Sequence, residues 1–479
     1  MASGRRTSLS TRAKARTDMT EGSARTAATS VAPLYKRLPH GPHHLGRSEV
    51  IAHQRARIHG ATIEAVASCG YEETSVKQII GLAGVSRRSF YEQFANKQVC
   101  FLATFDLLAT RELQHVRRAY LDSEGSLDER VRASVERFAH MTDTDRKASV
   151  LLVAEAQTAG VQGVLRLVRA TNACEQMLAQ SFAQAPEAVS LPVPIVRAIA
   201  GGLHGAAAAY LREAPGEVDI VQELLHWTLQ FQAPAAERMG EQMALTLSTR
   251  LREIASTYGR GLAGAEAGSR DEHERVLQAV LRLATREVYA TLSAPQIADE
   301  ANVSIDAFCE LFADKEECFL AALDAIGDEL LAIAADPGLV SDDWPNAVRR
   351  VLAKLMRYLA DHPLQTRTLA QEAFFAGPEA RERVRELALA IATLLTEGAP
   401  AQAHGRLGTE AIAGAIWHMI RCQVAAGRPQ LLAALSEQLA YIVLTPHLGA
   451  QQAAEILTGE LAQERCADSG VACRTALAG

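Results

Sequence analysis

Apolar residues in the first hundred positions recur at helical rather than alternating spacing. From Ser48 to Cys69, the residues Ile51, Ile58, Ala61, Ile63, Ala65 and Val66 fall on one helical face, and Gly70 closes the helix as a left-handed cap. Ser75 opens a second helix, with Gln78 three residues on as its capping-box partner. Gly84 breaks that helix, Ser86 caps a third running to about Phe94, and a longer helix starts near Lys97. Two short helices joined by a glycine-containing turn, ahead of a long connecting helix, make the helix-turn-helix layout. Past Asp106 the chain reads as further helices punctuated by Gly and Pro. The predicted fold class is all-α.

The same pattern returns. GVSRRSFYEQFANKQVCFLATF (Gly84 to Phe105) reappears as NVSIDAFCELFADKEECFLAAL (Asn302 to Leu323), and Val85 to Val303 and Phe94 to Phe312 are both shifted by 218. Over 57–106 against 275–324 roughly a third of positions are identical, far above chance for an ungapped stretch. Two later echoes follow in order. AEAQTAG (Ala154–Gly160) parallels QEAFFAG (Gln371–Gly377) at a shift of 217, and AIAGGLHG (Ala198–Gly205) parallels AIAGAIWH (Ala411–His418) at 213. Three anchors in one order predict that a whole two-domain unit was duplicated in tandem.

The expected organisation is a disordered basic arm over 1–47, a helix-turn-helix domain over 48–106 and a first helical domain over 107–258. A flexible linker spans 259–270. A degenerate helix-turn-helix follows over 271–324, then a second helical domain over 325–460 and a disordered tail over 461–479. The linker reading rests on GRGLAGAEAGS (Gly259–Ser269). The arm's His40, His43 and His44 have no matching Cys or carboxylate set and read as a solvated stretch beside phosphates rather than a metal site.

Composition supports packed helices: 48% of the 479 residues are hydrophobic but only 5% aromatic. The longest uninterrupted apolar runs, such as Leu387–Leu395, fall short of the roughly 20 residues of a membrane span. No charged-then-apolar leader opens the chain, so a cytoplasmic protein with no membrane partner is expected. The eight cysteines form no metal-ligand cadence, and Cys100 and Cys318, which are repeat equivalents, read as small buried thiols. No metal or other cofactor is called for.

Net charge is −7, which alone argues against nucleic acid, but its distribution reverses that reading. Residues 1–100 hold 15 Lys and Arg against 7 Asp and Glu, leaving −15 for the remainder. A basic front on an acidic body focuses polyanion binding at one end.

On the third helix Phe90 and Phe94, four apart, share a face with Val85 and pack inward. That rotation leaves Arg87, Arg88, Ser89 and Tyr91 near the exposed side, next to the capping Ser86. An arginine fork can donate two hydrogen bonds to guanine, worth about 1–3 kcal/mol of discrimination. Arg87 and Arg88 can therefore reach base edges or phosphates. The stretch resembles the TetR-type family of bacterial transcriptional regulators in Gly70-Tyr71, Thr74-Ser75, Ile79, Ala83-Gly84-Val85-Ser86, Phe90-Tyr91, Phe94 and Lys97. The resemblance implies phosphate contacts from Tyr91, from Lys97 and from Ser75 with its helix N-terminus.

The second copy keeps the fold-making residues Ser293, Gln296, Ile297, Ala301, Val303, Ser304, Phe308, Phe312 and Lys315, with Asn302 in place of Gly84. It loses the contact residues: Arg87-Arg88-Ser89 becomes Ile305-Asp306-Ala307, and Tyr91 becomes Cys309. Residues 55–106 carry 6 basic and 5 acidic groups, whereas 273–324 carry 4 and 10. Phosphate neutralisation drives sequence-independent affinity, so the second copy is expected not to read DNA.

The family resemblance implies a variable helical domain that binds a small molecule and dimerises through its last two helices. The candidate pairs are about 193–212 with 217–231, and about 409–426 with 429–444. Small residues Gly201, Gly202 and Gly205 would let helices approach closely, either within one chain as a pseudo-dimer or between two chains as a homodimer. Pocket candidates are Glu155, His204 and Tyr210 in the first half and Phe374, Phe375 and Trp417 in the second, with His418 beside them.

The resulting expectation is a sequence-specific, DNA-binding transcriptional regulator that binds a double-stranded operator. It is expected to be a repressor released by a small apolar or amphipathic effector. The alternative is a ligand- or partner-binding protein that keeps this shape without operator recognition. No nucleophile, metal or phosphate-loop constellation argues for an enzyme.

Overall fold

The computed structural model describes residues 46–183, 192–214, 216–231, 271–287, 289–336, 343–400 and 407–468. The basic arm with His40, His43 and His44, the stretch 232–270 and the last eleven residues lie outside them. All regular elements among the described residues are helical.

The first helix-turn-helix follows its local signals. Helix α1 (Arg47–Glu73) does not stop at Gly70 but kinks there, with φ 76 and ψ 164, before a last turn reaches Glu73. That turn holds because the Tyr71 amide donates to Glu155 Oε2 at 2.9 Å and the Tyr71 ring packs on Phe101. Ile51, counted above on the apolar face, is 44% exposed. Helix α2 (Val76–Ala83) opens on the Ser75–Gln78 capping box and ends at Gly84 in the left-handed region, where the absence of a Cβ removes the strain. Helix α3 (Arg87–Tyr91) is capped by Ser86, and α4 (Lys97–Asp122) by Asn96. Ile58, Ala61, Ile79, Phe90, Phe94 and Cys100 form this head's own small core.

The second head repeats the construction in α10 (Glu272–Arg286), α11 (Ala294–Ala301), α12 (Ile305–Leu311) and α13 (Lys315–Ala334), numbered after the first-half helices given below. Ser293 and Gln296 form the capping box, and Asn302 is the one non-glycine residue with positive φ among the described residues, at 55°. Its core is not separate: Val276, Ile297, Phe308, Phe312 and Cys318 run into one cluster with the body. Burial pushes the Cys100 thiol up to about 11 and the Cys318 thiol up to about 12, so both are inert small hydrophobes.

The first-half body holds α5 (Leu127–Thr144), α6 (Arg146–Ser149), a π turn (Val150–Ala154), a 3₁₀ turn (Ala156–Ala159), α7 (Gly160–Ala183), α8 (Val193–Arg212) and α9 (Ile220–Leu229). The second-half body holds α14 (Trp344–Asp361), α15 (Pro363–Ala370), α16 (Pro378–Thr396), α17 (Gly408–Ala425), α18 (Ser436–Leu448) and α19 (Ala450–Asp468). Their cores are continuous, and α8 packs directly on α17. A Cβ on Gly201 would lie 2.9 Å from the Gly414 carbonyl oxygen, and one on Gly414 would lie 2.6 Å from the Gly201 carbonyl oxygen. The two glycines are aligned by the 213-residue shift, so equivalent backbone positions meet each other across the contact. Trp227 of α9 fills the space over Gly202 and donates to the Ile199 carbonyl at 3.2 Å. The segment Pro429–Leu448 is long and apolar enough to cross a membrane, contrary to the run-length reading, but most of it is buried inside this core.

Candidate nucleic-acid interface and ligand cavity

The first head presents α3 outward because Phe90 is fully buried and sets the rotation of its neighbours. Arg87, Arg88 and Tyr91 are exposed, and the Arg88 side chain is 88% accessible. Arg88 pairs with Glu92 at 2.8 Å, an exposed i,i+4 contact worth only about 0.3–0.5 kcal/mol and easily exchanged for a phosphate or base. The Arg87 guanidinium lies 5.6 Å from the Tyr91 ring centre, which brings the two onto one edge of the helix. Ser86 and Ser89 are turned to each other, their hydroxyl oxygens 2.9 Å apart, with the Ser89 amide donating to Ser86. Ser75 sits exposed at the start of α2.

Lys97 is placed differently from its neighbours. Its Nζ donates to the Tyr71 and Glu72 carbonyls at 2.9 and 3.0 Å and lies 4.4 Å from the centre of the Tyr71 ring. The second head repeats this clamp, with Lys315 donating to the Leu292 carbonyl at 2.8 Å. The lysine at this shared position ties the start of α4 to the last turn of α1 in the first head, and the start of α13 to the turn after α10 in the second.

On the second head the corresponding outer positions are Ile305, Asp306, Cys309 and Glu310, all exposed. An apolar and acidic tip stands where the first head has arginines and a tyrosine.

Between the two halves lies a cavity of about 970 Å³. Four of the six sequence candidates line it: His204, Phe374, Phe375 and Trp417. Glu155 and Tyr210 do not, for physical reasons. Glu155 faces the first head, accepting from the Tyr71 amide and, at 3.2 Å, from the Thr158 hydroxyl. The Tyr210 hydroxyl donates to Asp143, and Arg146 covers its ring. Glu155 is nonetheless next to the cavity, since Val153, Ala154, Gln157 and Thr158 form part of its wall. Here the backbone passes from a π turn to a 3₁₀ turn, an irregularity common where a helix is shaped around a site.

Composition did not reveal the arginines. Arg197, Arg212, Arg367, Arg381, Arg385 and Arg421 line the cavity, against Glu372, Glu382 and Glu410. Arg367 pairs with Glu372 at 3.2 Å, Arg385 with Glu382, and Arg197 with Glu175 at 3.3 Å. Arg381 reaches out of the cavity to Glu72 of the first head, at 3.5 Å. Arg421 has no carboxylate partner among the described residues and lies 4.2 Å from the Phe374 ring centre. Its signal in the sequence was present: Trp417 and Arg421 are four apart on the otherwise apolar stretch of α17.

Two histidines flank that wall in opposite states. Burial, then the charges of His418 and Arg421, pulls His204 down to about 4, so it is neutral at pH 7. Burial opposes charge on His418 too, but Cys422 and Glu175 beside it hold it up at about 9. His418 Nε2 and Glu175 Oε1 are 2.6 Å apart, a bridge between α17 and α7. Glu175, His418 and Cys422 offer three donor atoms within 4.8 Å of one another. Arg197 of α8 shares the Glu175 carboxylate with His418, so the trio joins an ion-pair network across α7, α8 and α17.

Residues 58–104 match the family model described as bacterial regulatory proteins, tetR family. No curated protein matches the chain. Among solved structures the chain is similar to the fatty acid degradation regulator FadR from Bacillus halodurans, at 17% identity and a TM-score of 0.32, over 36% of this chain and 90% of that one. It is also similar to the transcriptional regulator FadR from Bacillus subtilis in complex with stearoyl-CoA, at 17% identity and a TM-score of 0.32, over 35% of this chain and 94% of that one. Residues 58–104, which span the first head from α1 to the start of α4, thus carry the DNA-binding domain of the tetR family, and this supports a transcriptional regulator.

Proposed function

We propose that this chain is a tandem regulator in which the first head reads a double-stranded operator and the second serves as its folded, non-reading counterpart. The observation that carries the reading is the contrast at equivalent positions: exposed Arg87, Arg88 and Tyr91 on one tip, exposed Ile305, Asp306 and Cys309 on the other. Arginines at the start of a recognition helix can address base edges, with Ser75, Ser86, Ser89 and Tyr91 close enough to position the backbone. An acidic tip repels the same duplex.

The two bodies act as a pseudo-dimer within one chain. The reciprocal meeting of Gly201 and Gly414, which the repeat aligns, is the signature of a self-complementary two-fold contact and supports duplication of a whole regulator. A chain with one reading head occupies one half-site, so a palindromic operator needs two chains. The chain acts as a repressor, released when an amphipathic effector fills the cavity. That cavity touches the first head twice, through the turn carrying Glu155 and through Arg381 on Glu72, so filling it changes how that head is held.

A gel-shift assay with DNA flanking the chain's own gene tests this. Wild type is expected to shift a fragment, Arg88→Ala to lose the shift, and Asp306→Ala to keep it. Equal losses in both variants would refute the division of labour.

A further inference from the structure

The wall of the cavity is not symmetric, although the helices forming it are related by the repeat. At the 213-residue shift Arg421 corresponds to Ala208 and Trp417 to His204, and at the 217-residue shift Phe374 corresponds to Gln157 and Phe375 to Thr158. All eight residues line the cavity. The guanidinium and the Phe and Trp rings among them therefore belong to the second half, and the first half answers with small or polar groups.

Arg421 is the centre of this asymmetry. It is partly buried, stacked on Phe374, and without an acidic partner among the described residues; Arg197, Arg367, Arg381 and Arg385 each have one, and Arg212, though in no ion pair, lies in the field of Glu213, Glu382 and Glu410. Burial pulls its guanidinium down only to about 10, so it stays charged at neutral pH. A buried charge without a counter-ion is unfavourable, and the missing counter-charge is the simplest thing a ligand can supply. Even with Glu175 answering Arg197 and His418, and Glu72 answering Arg381, from outside the wall, seven cations face five carboxylates, and the lining keeps a surplus of positive charge. A neutral ligand would leave that charge unanswered and a cationic one would meet repulsion. Val164, Leu165, Leu167, Ala413 and Trp417 give the wall apolar stretches, interrupted by Gln157, Thr158, Thr171, Asn172 and Gln371.

We propose that the cavity takes one amphipathic organic anion per chain, its acidic head held by the Arg421 fork over Phe374 and its apolar body lying between the two halves. A planar acidic group matches the two-pronged donor geometry of a guanidinium. The Ala208 counterpart offers no second grip, so two equivalent sites per chain do not arise. This inference deepens the effector reading above and rests on it for its regulatory meaning.

The probes are 1-anilinonaphthalene-8-sulfonate and N-phenyl-1-naphthylamine, which share one apolar body and differ by the sulfonate. Binding to the full-length chain is followed by probe emission and by quenching of Trp417 in the cavity wall. The expected result is one sulfonate probe per chain, bound at least tenfold more tightly than the neutral one. Arg421→Gln should remove that preference while leaving the neutral probe within twofold, and Arg421→Lys should restore part of it. Thermal melting of each variant checks folding, and the wild-type preference stands as a test without any variant. Equal affinity for the two probes, two equivalent sulfonate sites, or sulfonate binding unchanged in Arg421→Gln would each overturn the inference. Operator binding is read separately by fluorescence anisotropy. A chain that binds the sulfonate through Arg421 but binds no operator would uphold the anion site and remove the regulatory reading.

Discussion

The two heads of this chain have the same skeleton and opposite surfaces. Both place a Ser–Gln capping box, a left-handed turn, a buried Phe pair and a lysine clamp at matching positions. They differ in where their cores end and in what they show to solvent. The first head has a small core of its own around Ile58, Ile79 and Phe90, and it meets the body through a second apolar cluster in which Val66, Tyr71 and Phe101 pack with Ala148, Leu151 and Ala156, flanked by the pairs Glu64–Lys147 and Asp106–Arg166. The core of the second head runs without a break into the body, and its tip is apolar and acidic. The core residues that match between the heads face inward, and the tip positions that differ face out.

The largest expected effect separates the tips. Replacing both Arg87 and Arg88 by alanine should lower operator affinity at least a hundredfold, about 3 kcal/mol, consistent with two groove contacts of about 1–3 kcal/mol each. Fluorescence anisotropy on a labelled operator measures it, and a loss below threefold would break the comparison at its root.

Acid should separate the heads next. His59, buried in the first head with Nδ1 2.8 Å from the Thr104 hydroxyl, is pulled down to about 4 by burial and then by the Arg55 charge. Its folded value lies below the unfolded one, so stability is complete above about 6.5 and is lost as pH falls through about 4. The difference amounts to roughly 3 kcal/mol. Leu277 occupies the equivalent place in the second head. Hydrogen exchange at pH 4.5 and 7 should show the first head losing protection relative to the second, and His59→Leu should flatten that response.

A third test asks whether both heads depend on the shared contact. Gly414→Val would drive its Cβ to 2.6 Å from the Gly201 carbonyl oxygen and 2.9 Å from the Gly205 Cα, so α8 and α17 must part. Melting should register a loss of about 1–3 kcal/mol, as for other overpacked interiors. The smallest effect is on α2 itself. Nothing lies within 4 Å of a Cβ on Gly81, so Gly81→Ala should stabilise the first head by about 0.5–1 kcal/mol in the same assay.

Legibility followed the range of the interaction. The capping boxes, the turns at Gly84 and Asn302 and the inward Phe90–Phe94 pair are set within four residues, and all were readable from the sequence. Long-range partners were not. Nothing near Lys97 announced that its ammonium would fold back on the Tyr71 and Glu72 carbonyls, and nothing near Glu155 announced a partner 84 residues away. The cavity was half readable: a polar group on an apolar helix suggested His204 and its second-half counterparts suggested Phe374, Phe375 and Trp417, while Arg421 was not among the candidates. Its meaning depends on α7, α8 and α16 closing around it.

The central claim is that one tip meets the duplex and its relative does not. Hydrogen-exchange mass spectrometry of the full chain, with and without a DNA fragment selected by that chain from a random pool, addresses both tips in one experiment. Protection gained over 75–91 with 293–309 unchanged is the predicted result. Protection gained over 293–309 with 75–91 unchanged would contradict the account.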